Sequence, residues 1–62
     1  MRLTQRQHDV MEHLSKGKSN KEIARELSLS LGTVKAHTQH AYAALGARNR
    51  TEAALAYLKA AA

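Results

Sequence analysis

The chain contains no cysteine, proline, phenylalanine or tryptophan, and its aromatic residues are two tyrosines. Without cysteine it has no disulfide and no thiolate metal site. No apolar run approaches the roughly 20 residues that span a bilayer, and no stretch resembles a signal peptide. These absences favour a soluble protein of a reducing compartment. We therefore predict a cytoplasmic location without membrane contact.

The apolar residues are mainly alanine and leucine, with no alternating run of β-branched residues. This composition predicts an all-α fold. At 62 residues the chain forms one domain at most, since folding buries only about 60% of the unfolded surface at this size. We expect a single domain over residues 1–62.

Acidic residues are missing from one long segment. The chain carries ten lysines and arginines against five acidic residues, a net charge of +5, yet no Asp or Glu occurs between Leu27 and Thr51. Lys35, Arg48 and Arg50 lie in this segment together with two histidines. An acid-free basic region is typical of a polyanion-binding site. The charge pattern favours a nucleic-acid partner, with ordinary solubilising charge as the alternative.

Apolar periodicity and capping residues predict four helices, over about residues 5–16, 21–27, 31–45 and 51–60. Thr4 and Gln7 have the spacing of a capping box before the first helix. Asn20 is the expected N-cap of the second helix, and Ser30 that of the third. Gly46 is expected to end the third helix.

The third predicted helix has two different faces. At 100° per residue, one narrow sector contains the expected core residues Val34, Thr38, Ala41 and Leu45. The opposite sector has no acid and no large apolar group, and contains Gly32, Ala36, Gln39, His40 and Ala43. Such a face suits a major groove, where Gln39 can pair with adenine, Ala36 can pack on a thymine methyl and Lys35 can reach guanine. The alternative is an amphipathic helix with a solvated face.

The second helix, a three-residue turn and the longer third helix match a helix-turn-helix over about residues 19–39. In that layout, free N–H groups at helix N-termini can bind phosphates. Ser19, Asn20, Lys21 and Thr33 lie at such ends and are phosphate candidates. Simple helix capping is their alternative role.

Four motifs together identify a family. They are Leu3-Thr4-x-Arg6, Gly17-x-Ser19-Asn20-Lys21-Glu22-Ile23-Ala24, Leu27-x-x-Ser30-x-x-Thr33-Val34-Lys35-x-His37 and Leu45-Gly46-Ala47-x-x-Arg50-Thr51-Glu52-Ala53. This pattern covers nearly the whole chain. It resembles the LuxR-type (NarL/FixJ-like) helix-turn-helix DNA-binding domain, found at the C-terminus of bacterial response regulators.

The resemblance implies a four-helix bundle in which helices two and three form the helix-turn-helix and helix three is the recognition helix. It further implies sequence-specific binding of double-stranded DNA as the output domain of a transcriptional regulator, typically in a two-component system. Helix four commonly forms a dimer interface in this family, so we expect a homodimer on paired half-sites about one helical turn apart. RNA polymerase is a further candidate partner, and a regulatory domain is expected before Met1.

The resemblance also implies roles for individual residues. Positions matching Lys35, Ala36 and Gln39 contact base edges in the family. Positions matching Asn20, Lys21, Thr33 and His37 lie near the phosphate backbone. His40-Ala41 departs from the Asn-Ile that the family often has, and we count His40 among the base-reading candidates.

Two other functions fit parts of the sequence. The promoter-reading region of a sigma factor shares the Leu-Thr-x-Arg opening and a similar helix-turn-helix, but not the Ser-Asn-Lys block. A protein-interaction module is the alternative of another class, because the fourth helix has a predicted apolar surface of Ala53, Ala54, Leu55, Tyr57 and Leu58. Within the DNA-binding interpretation, Ala54, Leu55 and Leu58 are the dimer-interface candidates.

Catalysis and metal binding are not expected. His37 and His40 have a spacing that permits a metal pair, but no carboxylate is close in sequence to complete a site. No motif marks a serine or threonine as a nucleophile. We predict a protein that is not an enzyme and takes no cofactor, metal or small-molecule ligand in this domain.

Overall fold

The computed structural model describes residues 2–61, with side chains up to residue 60. It contains four helices, α1 (Gln5–Ser15), α2 (Asn20–Leu27), α3 (Leu31–Leu45) and α4 (Arg50–Ala61). No strand occurs among the described residues, so the predicted all-α class is confirmed. The first and last residues of the predicted domain lie outside the described part.

Helix α1 begins with the predicted capping box. The Thr4 hydroxyl accepts a hydrogen bond from the Gln7 backbone N–H at 3.1 Å, and the Gln7 Oε1 accepts one from the Thr4 N–H at 3.1 Å. These two bonds satisfy N–H groups that a helix start otherwise leaves unpaired. The helix ends at Ser15, and Gly17 follows with a φ of +88°, a conformation that favours glycine.

Helix α2 is capped by Ser19, so the prediction that Asn20 is its N-cap is wrong. The Ser19 hydroxyl accepts from the Glu22 N–H at 3.1 Å, and the Glu22 carboxylate accepts from the Ser19 N–H at 2.9 Å. The reason is the residue three positions on: Ser19 has Glu22 there and can close a capping box, whereas Asn20 has Ile23.

The turn between α2 and α3 contains a residue in the left-handed conformation. Ser28 has a φ of +57° and ψ of 43°, and the N–H of Leu29 donates to the Ala24 carbonyl at 2.9 Å. Leu29 is half-buried and packs against the core. Ser30 caps α3 as predicted, because its hydroxyl accepts from the Thr33 N–H at 3.1 Å.

Helix α4 starts one residue earlier than expected. Helix α3 ends at Leu45 and Gly46 follows with a φ of +68°, as the glycine predicts. The Asn49 side chain then accepts from the Glu52 N–H at 2.9 Å, which makes Arg50 the first helical residue.

All four helices contribute to one core, in which α1 packs against α3 and α4, and α2 packs against α3. The buried apolar residues are Val10, Met11, Leu14, Ile23, Ala24, Val34, Ala41, Ala53 and Tyr57. Thr38 is also buried, and its hydroxyl donates to the Lys35 carbonyl at 2.7 Å, so it leaves no unpaired polar atom. The predicted core face of α3 is therefore confirmed, with Leu45 half-buried at its end.

The apolar surface predicted on the fourth helix is wrong for two of its five residues. Ala53 and Tyr57, one helical turn apart, point into the core, where each is at most 8% exposed. Leu55 and Leu58 remain exposed, and Ala54 is half-buried. No described helix is both long and apolar enough to cross a membrane.

Candidate nucleic-acid interface

Helix α2, the turn at residues 28–30 and helix α3 form a continuous unit, with α2 packed on α3. Because Val34, Thr38 and Ala41 anchor one side of α3 in the core, the opposite side faces away from the protein. This outer face of α3 consists of Gly32, Ala36, Gln39, His40 and Ala43, all of which are exposed. The prediction of two distinct faces is thus confirmed.

The base-reading candidates lie on or beside this outer face. Ala36, Gln39 and His40 belong to it, and Lys35 lies exposed at its edge. The side chains of Lys35, Gln39 and His40 have no hydrogen-bond or ion-pair partner among the described residues. Their donors and acceptors are therefore available to an external ligand.

Positive charge is unneutralised on this side of the molecule. The ion pairs among the described residues are Arg6–Asp9, Lys16–Glu12, Lys18–Glu26 and Arg48–Glu52. Lys21 and Lys35 are exposed and take part in none of them. Neither an acidic residue nor an internal salt bridge therefore offsets the charge of Lys35 on α3.

The phosphate candidates at the start of α2 have different surroundings. Ser19 and Lys21 are exposed, while Asn20 is half-buried with its Oδ1 enclosed and lacking a hydrogen-bond partner. Bonds from Ser19 lower the pKa of the Glu22 carboxyl below its usual value, first through the backbone N–H and then through the hydroxyl. This end of α2 therefore holds an ionised carboxylate beside the exposed cation of Lys21.

The remaining phosphate candidates lie on α3. Thr33 is exposed, and its hydroxyl oxygen accepts from the Ser30 hydroxyl at 2.7 Å, which leaves the Thr33 hydroxyl proton free to be donated. His37 is half-buried beside the outer face. The nine candidates are thus divided between α3 and the N-terminus of α2, and these two elements pack together.

A cluster around Lys18 was not predicted from the sequence. Lys18 is half-buried, and its ammonium group lies 2.7 Å from Glu26 Oε1 and 3.2 Å from His13 Nδ1. The Arg50 guanidinium donates to the Lys18 backbone carbonyl. No local pattern predicts the contact with Arg50, because the two residues are 32 positions apart and share no periodic spacing.

Comparison with known proteins decides the family. A family profile described as bacterial regulatory proteins, luxR family (GerE), matches residues 1–57. The chain belongs to the luxR family. As a member of this family, the chain is a DNA-binding helix-turn-helix domain of the kind found in transcriptional regulators. The luxR family is not a family of enzymes.

Individual relatives agree with this assignment. The luxR-family chain is 47% identical over 57 residues to the uncharacterized transcriptional regulatory protein YhcZ of Bacillus subtilis (strain 168), covering 92% of the chain and 27% of that relative. It is 43% identical over 53 residues to the transcriptional regulatory protein LnrK of the same organism, covering 86% and 24%. It is 40% identical over 57 residues to the nitrate/nitrite response regulator protein NarP of Escherichia coli (strain K12), covering 92% and 26%. The chain spans about a quarter of the length of these relatives.

Proposed function

We propose that this luxR-family domain binds specific sequences of double-stranded DNA as the output domain of a bacterial transcriptional regulator, with α3 lying in the major groove. The observation that carries the proposal is the outer face of α3, which is exposed, free of acid and built of small residues around Gln39 and His40. A groove of about 12 Å admits a helix whose backbone can approach the base edges.

Base recognition is assigned to four side chains. Gln39 offers a donor and an acceptor that match adenine N7 and N6, and Ala36 offers a methyl group to thymine. Lys35 offers donors to guanine O6 and N7, and His40 adds a donor or acceptor one residue beyond Gln39. The side chains of Lys35, Gln39 and His40 bond to no other residue within the described part of the chain, which supports this assignment.

Phosphate contacts are assigned to both helices of the motif. Lys21 supplies charge at the start of α2, with the helix N–H groups and the side chains of Ser19 and Asn20 as further donors. On α3, Thr33 has a free hydroxyl proton and His37 a ring N–H. These contacts fix the orientation of α3 without reading sequence.

Two copies of the domain are proposed to bind together on paired half-sites. Leu55 and Leu58 on α4 are 63% and 50% exposed, and half-buried Ala54 lies beside them, so the three residues form one apolar patch. This α4 patch (Ala54, Leu55 and Leu58) suits a symmetric contact between copies. The name of NarP, a nitrate/nitrite response regulator protein, supports a place for this domain in a response regulator of a two-component system. We further propose a location in the cytoplasm at the nucleoid and RNA polymerase as a partner.

The proposal is tested by a salt titration on DNA. A duplex is first selected from a random pool by the 62-residue chain, and binding is then measured between about 50 and 200 mM salt. Several phosphate contacts would lower the affinity by orders of magnitude over this range. Binding that is independent of salt, or selection that yields no consensus, would contradict the proposal.

Replacing Lys35 by alanine tests the role of α3 itself. K35A should weaken binding to the selected duplex by about 1–3 kcal/mol, because it removes a base contact. The matched control is K59A, which removes the same charge from an exposed position on α4. Equal losses for the two variants in a gel-shift titration would show that Lys35 acts only through overall charge.

A further inference from the structure

Several parts of the fold meet at Lys18. Its ammonium group bonds to Glu26 on α2 at 2.7 Å and to His13 on α1 at 3.2 Å. Its backbone N–H donates to the His13 carbonyl at 3.3 Å, and its own carbonyl accepts from Arg50, the first residue of α4. We call these four residues, Lys18, His13, Glu26 and Arg50, the Lys18 junction.

The Lys18 junction lies directly before the start of α2 in the chain. Lys18 immediately precedes Ser19, the N-cap of α2, so the Lys18 carbonyl belongs to the peptide that leads into the capping box. Over the described residues, α2 and α4 do not pack directly against each other. The Arg50 bond is therefore a direct tie between α4 and the N-terminal end of α2.

Both cations of the junction have a bonding partner within the protein. The Lys18 ammonium is paired with Glu26, and its hydrogen bond lowers the pKa of the Glu26 carboxyl below its usual value. Arg50 is half-buried and forms no ion pair among the described residues, but its guanidinium donates a hydrogen bond to the Lys18 carbonyl. Lys21 and Lys35 differ from both, because they are exposed and their side chains have neither a hydrogen bond nor an ion pair in the described part of the chain.

We propose that Arg50 is a positioning residue for DNA binding: it holds the first turn of α2 in place, so that Lys21 and the helix N–H groups meet the phosphate backbone, without contacting DNA itself. This inference rests on the proposed DNA-binding function. Its physical basis is pre-organisation, because a segment that is already ordered loses less freedom when its ligand binds. The planar guanidinium suits this role, since its donors have a fixed geometry that an ammonium lacks.

The first test needs no DNA. Amide resonances of residues 19–22 are compared by NMR among the wild type, R50Q and R48Q. Arg48 is the matched control because it is two positions away and its side chain is 87% exposed, and the R48Q change removes the same charge. R50Q should shift these resonances and speed their hydrogen exchange, while R48Q leaves them unchanged. Wild-type-like resonances in a folded R50Q variant would overturn the inference.

The second test is a double-mutant cycle with K21A on the selected duplex. If Arg50 acts through the first turn of α2, R50Q weakens binding and lowers the slope of log K against log salt by about 0.9 per lost phosphate contact. That loss should largely disappear in the K21A background, because coupled sites are not additive. Additive losses, or a K21A variant that binds like the wild type, would overturn the inference.

Two further variants, R50K and R48Q, separate the role of Arg50 from a folding defect and from a loss of charge. If R50Q does not fold, the cycle is repeated with R50K, which keeps the charge but not the guanidinium, and the same non-additivity with K21A is required. R48Q with K21A should give additive effects. A wild-type chain that shows no salt-dependent binding would refute the proposed function, whereas wild-type binding with additive R50Q and K21A losses would refute the role of Arg50 alone.

Discussion

At the scale of single residues, Ser28 is the described non-glycine residue with a positive φ, in the position that ends α2. The left-handed conformation brings Cβ close to the following carbonyl oxygen, and helices commonly place glycine at this point. Serine is tolerated here because the Leu29 N–H bonds to the Ala24 carbonyl and Leu29 packs on the core, which together hold the turn.

Ser28→Gly should stabilise the domain by about 1 kcal/mol, because the removal of a strain of about 1–2 kcal/mol exceeds the cost of the greater unfolded-state entropy of glycine. The measurement is the midpoint of urea unfolding at constant m-value. Ser28→Ala is the control, because alanine keeps the Cβ and should give no gain. A midpoint that rises equally for both variants would show that the serine hydroxyl, rather than the backbone, is the source of the strain.

Residue-scale features were predictable where a local rule applied. The Thr4–Gln7 box and the Ser30 cap follow from spacing alone. The prediction that Asn20 caps α2 is wrong, although the capping-box rule applied to the Ser19–Glu22 spacing gives the correct cap. The positive φ of Ser28 was not predictable, since no glycine or asparagine marks it.

At the scale of elements, α3 and α4 differ in how clearly the sequence defines their faces. Helix α3 separates Val34, Thr38 and Ala41 from a face without large apolar groups, so its orientation followed from periodicity. Helix α4 is rich in alanine on all sides, and its apolar residues do not form a single stripe. The packing of Ala53 and Tyr57 against α1 and α3 decides its orientation, and that contact is not encoded locally.

The exposed α4 patch leads to a prediction about pairing. Leu55→Asp should abolish cooperative binding to paired half-sites while leaving binding to a single half-site unchanged, because it places a charge in the proposed interface between copies. Ala60→Asp is the control, with the same added charge about 140° around the helix. Gel-shift titrations on one-site and two-site duplexes measure the effect. Cooperativity that survives in L55D would place the dimer interface elsewhere.

At the scale of the whole molecule, the pKa shifts of three groups make the free energy of unfolding depend on pH at the acid and the alkaline end. The pKa values of Glu22 and Glu26 are lowered from 4.5, mainly by hydrogen bonds from Ser19 and Lys18 respectively. A depressed carboxyl pKa contributes stability that is present above pH 4.5 and is lost as pH falls through the folded-state value.

Burial, followed by the charges of Glu12 and Asp9, raises the pKa of Tyr57 from 10.0. Its contribution is therefore kept below pH 10.0 and lost as pH rises through the folded-state value.

We expect the thermal midpoint to fall on the acid side below pH 4.5 and on the alkaline side above pH 10.0. Circular dichroism melts across this range provide the measurement. Glu22→Gln with Glu26→Gln should reduce the acid-side fall, and Tyr57→Phe should reduce the alkaline-side fall. Each variant should leave the opposite side as it is in the wild type, and a change on both sides would show that general charge repulsion dominates.

Contacts between distant residues mark the limit of what the sequence predicts for the whole molecule. The Nδ1 of His8 lies 3.4 Å from the Tyr57 hydroxyl, joining α1 to α4 across 49 positions. Arg50 joins the start of α4 to Lys18 across 32 positions. Neither pair has a spacing that a local rule recognises, whereas the family motifs identified the helix-turn-helix and its candidate residues. These two long-range contacts are therefore seen only in the structure.

The division of α3 into an anchored side and a free side has a consequence for how such a domain changes its target. Ala36, Gln39 and His40 can be exchanged without disturbing Val34, Thr38 or Ala41, since the two sets share a helix but no packing environment. Surface substitutions away from special contacts usually change stability by no more than about 0.5 kcal/mol. Under the proposed base-reading role of these three residues, mutational libraries confined to their positions should therefore explore new operators while the scaffold stays folded. The same separation would allow duplicated genes to diverge in target choice without first gaining stability.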